Sequence, residues 1–318
     1  MIKAKVVRIE SKDIYVLTEK SKELRCSLPG KFKKKYNLKK DKLRTLDIVA
    51  VGDYVEVELS TEEHGIIKKI GDRVNYISRK APRIRGSGIR GGRLEQIIAA
   101  NVDLFIHVAS IHEPEFNNRF VDRMIVIAES SNVEFALLIN KIDLAEPAEY
   151  KKWEKLYCDL GYKVVLTSAE EQMNIDAVKD LIAGKTTLLW GQSGVGKSSI
   201  ANEIDTRINL KIGEISDFSG KGKHTTVTSR LIRLKNNTEI IDTPGVRELE
   251  PFGIKKEDLG HYFVEFGDFI PECKFNSCTH FHEPGCAVRA AVENGKITEE
   301  RYESYLNLLQ TIENDIIF

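Results

Sequence analysis

The chain has no apolar run of membrane-spanning length, no internal repeat, no net charge and only five cysteines in 318 residues. The first absence argues against a spanning helix. An odd cysteine count, with three of the five crowded into residues 273–286, argues against a disulfide framework and suits a metal site in a reducing compartment. The opening "MIKAKVVRIE" scatters charges where a signal peptide needs an apolar stretch, and a cytoplasmic monomer is the expectation. The zero net charge hides an asymmetry. Residues 1–100 hold 24 Lys and Arg against 13 Asp and Glu, while the remaining 218 hold 24 against 35. Such a separation of sign suggests that the N-terminal part meets a polyanion.

What is present has the composition of an ordinary globular protein, 42% apolar and 30% charged, long enough for two or three domains. Alternating or β-branched stretches at 2–9, 13–18, 23–28, 47–59 and 64–70, separated by turn signals, predict a small five-stranded barrel of the OB-fold type over residues 1–72. Its longest loop, "GKFKKKYNLKKDKLR", carries Lys31, Lys33, Lys34, Lys35, Lys39 and Lys40 with Phe32 and Tyr36 between them. A solvated loop has the same composition. The barrel around it and a second basic stretch favour contact with a phosphate backbone. That second stretch, "SRKAPRIRGSGIRGGR", holds Arg83, Arg85, Arg90 and Arg93 among four glycines and reads as a linker over 73–100.

From residue 101 the pattern changes to α/β. Strand-length apolar runs ("VDLFIHVA", "VEFALLI", "YKVVLT", "KTTLLW") alternate with stretches of helical period ("NRFVDRMIVIAES", "AEYKKWEKLYCDL", "IDAVKDLIA"), the sign of a doubly wound sheet. At its centre "GQSGVGKS" matches the phosphate-loop pattern between a strand and a helix. Gly191, Gln192, Ser193, Gly194, Val195 and Gly196 offer backbone N–H groups to phosphate oxygens. Lys197 adds a charge, and Ser198 and Ser199 open the helix, with the Ser198 hydroxyl available to Mg²⁺. "IIDTPG" ends a later strand: Asp242 can hold Mg²⁺ through water, and the Gly245 N–H can reach a γ-phosphate. Between them lies "SGKGKHTTVTSR", in which Thr226, or else Thr225, could close on Mg²⁺. "NKID" selects the base. Asp143 suits the N1–H and N2–H₂ donors of guanine, Asn140 its acceptor edge, and the Lys141 stem the ring face, with Ile142 between them. Ser168 and Ala169 in "TSA" could place an N–H on guanine O6.

These motifs occur in an unusual order, with Asn140 preceding Gly191 by 51 residues. The order N-K-I-D, T-S-A, G-Q-S-G-V-G-K-S, H-T-T, D-T-P-G resembles the circularly permuted GTPases. With the N-terminal barrel and C-terminal cysteines it is similar, over essentially the whole chain, to the RsgA (YjeQ) family. That resemblance implies a permuted GTPase domain over 101–250, GTP hydrolysis to GDP and phosphate stimulated by the small (30S) ribosomal subunit, a role in that subunit's maturation, and contact with 16S rRNA. An RNA-binding factor that uses GTP and GDP only as a conformational clamp is the alternative. Permutation leaves the chain exiting the domain just after "DTPGV", so that the C-terminal segment is tethered to the γ-phosphate sensor.

That segment, residues 251–318, carries its own chemistry. "CKFNSCTHFHEPGC" spaces Cys273, Cys278, His280 and Cys286 as C-x4-C-x-H-x5-C, a set that suits one structural Zn²⁺. His282 and His261 are rival ligands, and the resemblance selects His280. The remainder reads as an amphipathic helix. Val246 stands where small GTPases carry a water-orienting glutamine, so hydrolysis should wait on a partner. His224 is the local candidate to position water, with a solvent-facing histidine the equal alternative. Gly194 stands where some permuted GTPases bind K⁺ through asparagine, and no potassium role is inferred.

Overall fold

A computed structural model describes residues 1–10, 13–29, 48–80, 95–205, 208, 229–243 and 249–312. Strands β1 (Ile2–Glu10), β2 (Asp13–Thr18), β3 (Glu23–Ser27), β4 (Tyr54–Leu59) and β5 (His64–Ile70) form the N-terminal unit. They pair in the order 1-2-3-5-4 and close through β1–β4, with β3 and β5 parallel and the other pairs antiparallel. This is the expected OB-like barrel. Alternation turns Val6, Val16, Leu24, Val55, Val57 and Ile67 into a common interior, because successive strand residues face opposite sides. Residues 48–53, expected within the start of the fourth strand, do not belong to it. There the buried Asp53 accepts from the Ala50 N–H at 2.8 Å and is gripped by Arg73 at 2.7 Å through two nitrogens, which fixes a turn.

The stretch expected as a linker is structured at both ends. Strands β6 (Tyr76–Lys80) and β7 (Glu95–Ala100) pair antiparallel and bury Ile77, Ile97, Ile98, Ala99 and Ala100. The glycine and arginine density between them obscured these short strands, which pack through Ile77 and the apolar end of β7. Residues 81–94, and with them Arg83, Arg85, Arg90 and Arg93, lie outside the described residues, as do Lys31 to Lys40.

The central unit alternates β8 (Leu104–Ser110), α1 (Asn118–Ser130), β9 (Glu134–Asn140), α2 (Pro147–Asp159), β10 (Lys163–Leu166), α3 (Ile175–Ile182), β11 (Thr186–Trp190), α4 (Lys197–Ile204), β12 (Arg230–Arg233) and β13 (Glu239–Asp242). The strands lie in the order β10-β9-β8-β11-β13-β12, parallel except for β12. Strand β11, late in the chain, is central. Its sequence, TTLLW, is buried at every position, as a strand covered by helices on both faces must be. One bridge, Arg8 opposite Arg230, continues this sheet into β1 of the barrel. Beside it the buried Lys5 meets Glu239 at 2.5 Å and Thr186 at 3.0 Å.

The C-terminal unit consists of short 3-10 turns at Leu259–Tyr262, Val264–Phe266 and Ile270–Glu272, then α5 (Ala287–Glu293) and α6 (Glu299–Thr311). Its core, including Leu259, Phe263, Phe266, Val288, Tyr305 and Leu308, takes in Val126 from α1, so it is docked on the central unit. No helix among the described residues is long and apolar enough to cross a membrane.

Candidate functional site

Five parallel strands deliver their motifs to one edge, their carboxyl ends, where ligands of doubly wound sheets bind. The register does the aligning: Ser110 lies opposite Asn140, His107 opposite Trp190, and Leu189 opposite Asp242. After Trp190 the chain turns through the glycine loop, with φ of +84° at Gly194 and +93° at Gly196, values that suit residues without a Cβ. Space enforces the same choice. A Cβ on Gly191 would lie 2.2 Å from the Val108 carbonyl oxygen, and one on Gly196 2.2 Å from Asn140 Nδ2. Val195 is buried, Gln192, Ser198 and Ser199 are half-buried, and Ser193 and Gly194 are exposed.

Lys197, the first residue of α4, is buried, and its Nζ donates at 2.7 Å to the carbonyls of both Gly191 and Gln192. Burial pulls its pKa down to about 8 against the opposing attraction of Asp242. Asp242 is itself raised by burial, with Lys197 opposing. Beneath the loop His107 stacks on Trp190 at 5.5 Å. Burial, and then the Lys197 charge, push it down to about 3, so it stays neutral near the Lys197 ammonium.

The base-reading motif is also tied into the protein around it. Asn140, expected on the acceptor edge of guanine, is 1% exposed. Its Nδ2 donates to the Val195 carbonyl at 2.8 Å, and its Oδ1 accepts from Thr167 Oγ1 at 3.2 Å and the Ala169 N–H at 3.1 Å. Asn140 therefore ties the phosphate loop to the T-S-A turn. The Ala169 N–H, a candidate for guanine O6, is directed to that asparagine in this structure. The reason is position: Asn140 ends β9, and its side chain reaches the turn after β10 on one side and, past the end of β8, the phosphate loop after β11 on the other. Ile142 is buried and its N–H reaches the Thr167 carbonyl at 3.3 Å. Ser168, also buried, holds its turn through Met173 and the Glu171 N–H. Asp143 is exposed, and its carboxylate makes no hydrogen bond or ion pair among the described residues, leaving both oxygens for a ligand.

A wall that the sequence did not signal stands beside Lys141. Lys141 is left-handed at φ 63°, and its Nζ donates to the Glu113 carbonyl at 2.5 Å. That carbonyl belongs to the loop between β8 and α1, held by the Ser110 hydroxyl on the Pro114 carbonyl at 2.7 Å and by Phe116 stacked on Trp153 of α2. Nothing in "SIHEPEF" marks it beyond loop composition. Thr225, Thr226, His224, Gly245 and Val246 lie outside the described residues.

In the C-terminal unit, Cys273, Cys278, His280 and Cys286 gather with all ligand atoms within 4.8 Å of one another. Cys273 Sγ is 3.6 Å and Cys286 Sγ 3.5 Å from His280 Nδ1, and the two sulfurs are 4.0 Å apart. A tetrahedral zinc with ordinary bond lengths separates its sulfur ligands by roughly 3.8 Å and sulfur from nitrogen by roughly 3.5 Å. The donor set therefore fits one such ion. Burial above all pushes the Cys278 thiol up to about 12, so a cation is needed to make the thiolate the favoured form near neutral pH. His261 and His282 are exposed and lie outside the cluster. The knuckle is folded around Glu283, which accepts from the Thr279 N–H and hydroxyl and from the Phe281 and His282 N–H groups. A main-chain N–H from Arg289 reaches Cys286 Sγ at 3.4 Å.

Comparison with known proteins gives a consistent answer. A family model described as RsgA GTPase matches residues 70–252. The small ribosomal subunit biogenesis GTPase RsgA of Phocaeicola vulgatus is 39% identical over 298 residues, covering 93% of this chain and 92% of that one. The protein of the same name from Chlorobaculum parvum is 41% identical over 271 residues, 84% of this chain and 86% of its own. Among solved structures, YjeQ from Thermotoga maritima superimposes with a TM-score of 0.74 at 34% identity, covering 97% of both chains. YloQ, a circularly permuted GTPase, gives 0.67 at 28% identity, covering 98% of this chain and 94% of its own. A permuted order of strands, a shared fold along nearly the whole length and this level of identity together mean that the chain belongs to the RsgA GTPase family.

Proposed function

We propose that the protein hydrolyses GTP to GDP and phosphate in the cytoplasm as a late factor in maturation of the small ribosomal subunit, and that the subunit stimulates it. The carrying observation is the Asn140 bracket, which locks a guanine-type loop to a phosphate loop at the edge where Asp242 ends its strand. The curated relatives are named for small ribosomal subunit biogenesis. In this reading Asp143 accepts from the guanine N1–H and N2–H₂, while Lys197 and the α4 N–H groups hold the β- and γ-phosphates. Ser198, Asp242 and Thr226 hold Mg²⁺, which neutralises phosphate charge. Cys273, Cys278, His280 and Cys286 hold one structural Zn²⁺. The lysines of the barrel loop and the arginines between β6 and β7 meet rRNA phosphates. Val246 cannot orient water, so the unaided rate is slow and a subunit group, with His224 as the local candidate, completes the site.

Steady-state GTP turnover measured with and without small subunits tests this. The expected rise is at least about tenfold, some 1.4 kcal/mol of barrier. A smaller rise favours a conformational clamp without significant turnover, and equal use of ATP contradicts the base assignment.

A further inference from the structure

Two opposite charges are buried where the C-terminal unit meets the central one. Arg301 of α6 and Asp122 of α1 are each 1% exposed, and Arg301 Nη1 donates to Asp122 Oδ1 at 2.5 Å. Nε and Nη2 of the same guanidinium grip Glu265 at 2.6 and 3.0 Å, and the group lies 4.6 Å over the Phe263 ring. Tyr157 of α2 donates to Asp122 Oδ1 at 2.9 Å. One turn on, Asn118 Nδ2 donates to Ser304 Oγ at 3.2 Å and the Glu300 carbonyl at 3.4 Å. A buried ion pair adds little stability over an apolar packing of the same shape, so stability alone does not account for a charge cluster at this joint. What such a cluster supplies is a fixed geometry.

The geometry in question is that of the guanine-type loop. Helix α2 begins at Pro147, four residues after Asp143, and carries both Tyr157 and Trp153. Helix α1 begins at Asn118, two residues after Phe116, which stacks on Trp153 at 4.9 Å. The loop ahead of α1 offers the Glu113 carbonyl to Lys141 Nζ and the Ile111 N–H to the Asn140 carbonyl at 3.1 Å. Both helices held by the cluster therefore run directly into the segment that reads the base.

We propose that Arg301, carried by the unit that holds the Cys₃His group, is a positioning residue for residues 140–143: by clamping α1 and α2 through Asp122 and Tyr157 it sets how slowly a bound guanine nucleotide leaves. The C-terminal unit thus meets the nucleotide site twice, along the chain from Asp242 and sideways through this joint. The inference rests on the guanine reading of the site.

The test is the dissociation rate of a fluorescent GDP analogue from the full chain, chased with unlabelled GDP, together with single-turnover hydrolysis of pre-bound GTP. Arg301→Lys and Asp122→Asn should release GDP about tenfold faster while hydrolysis of GTP already bound stays within about twofold. Tyr157→Phe and Ser304→Ala remove only hydroxyl hydrogen bonds and no charge, guard against a variant that fails to fold, and should show a smaller acceleration of about threefold. Arg119→Ala, which removes the exposed pair with Glu303, should leave release unchanged. Unchanged release in folded variants that bind GDP overturns the proposal and leaves the guanine site standing. Loss of release control and hydrolysis in equal measure also overturns it, since Arg301 would then support the central unit as a whole. Failure of the wild-type chain to bind GDP instead overturns the reading of the site.

Discussion

Asn140 commits its side-chain oxygen and one of its two amide hydrogens to the protein, which leaves the second N–H for an acceptor such as the edge of a base. Removing it strands the Val195 carbonyl and the Ala169 N–H in a buried place, at about 1–3 kcal/mol for each unpaired group. Asn140→Ala should accordingly weaken GDP binding by about tenfold to a thousandfold, measured by calorimetry, because the phosphate loop and the T-S-A turn lose their common tie. That role was not legible in N-K-I-D. The tetrapeptide identifies the loop, but the partners of Asn140 depend on how the ends of β9, β10 and β11 come together across the sheet edge. Lys197 carries a second consequence. Its pKa of about 8 in the free protein, lowered because burial disfavours the charge, leaves it largely neutral by pH 9. The charged form is the one that holds phosphates, so apparent GDP affinity should fall as pH rises from 8 to 10. Flat affinity over that range would mean that Lys197 is not at the phosphates.

At the scale of elements, the helices of the central unit were readable from their period, and α1 spans the same thirteen residues as the stretch picked out in the sequence. What the pattern hid was two charges within apolar stripes. The buried face of α6 runs Arg301, Ser304, Tyr305, Leu308, Leu309, and α1 buries Asp122 between Val121 and Met124. A charge at a core position reads as noise in one helix. It becomes a signal only when its opposite appears in another. The C-x4-C-x-H-x5-C spacing, by contrast, was legible because its four residues are close in sequence, and the fold brings all four together. Metal here supplies stability that so short a unit gains from few other sources. Treatment with a strong chelator, or Cys286→Ser, should lower the melting temperature by several degrees, whereas Cys158→Ser, exposed and outside the cluster, should leave it unchanged.

Over the whole molecule, the barrel and the central sheet are one eleven-stranded surface, joined by a buried charge pair that composition could not reveal. Lys5 and Glu239 are 4% and 8% exposed at their side chains, and Glu239 is also held by Arg233 at 2.8 Å. Lys5→Met should cost about 3 kcal/mol in a denaturant titration, since it leaves a buried carboxylate short of a partner. Burial would raise the pKa of Glu239, but Lys5, Arg233 and Thr186 together hold it below the usual 4.5. A lowered carboxylate contributes its full stability above its ordinary pKa and loses it as pH falls through the folded value. The gap between wild type and Lys5→Met should thus be constant from about pH 5 to 8 and close in more acidic solution. The opposed charges of the two halves, read from composition, remain the basis for expecting a polyanion at the barrel. The central claim is narrower: separated segments of a permuted chain build one pocket for guanine nucleotides. Its most direct test is calorimetric titration of GDP, ADP and XDP into wild type and Asp143→Asn. The account requires GDP to bind wild type far better than ADP, and Asp143→Asn to lose GDP by about a hundredfold while gaining XDP. Equal GDP binding by both proteins, or equal binding of GDP and ADP by wild type, would contradict it.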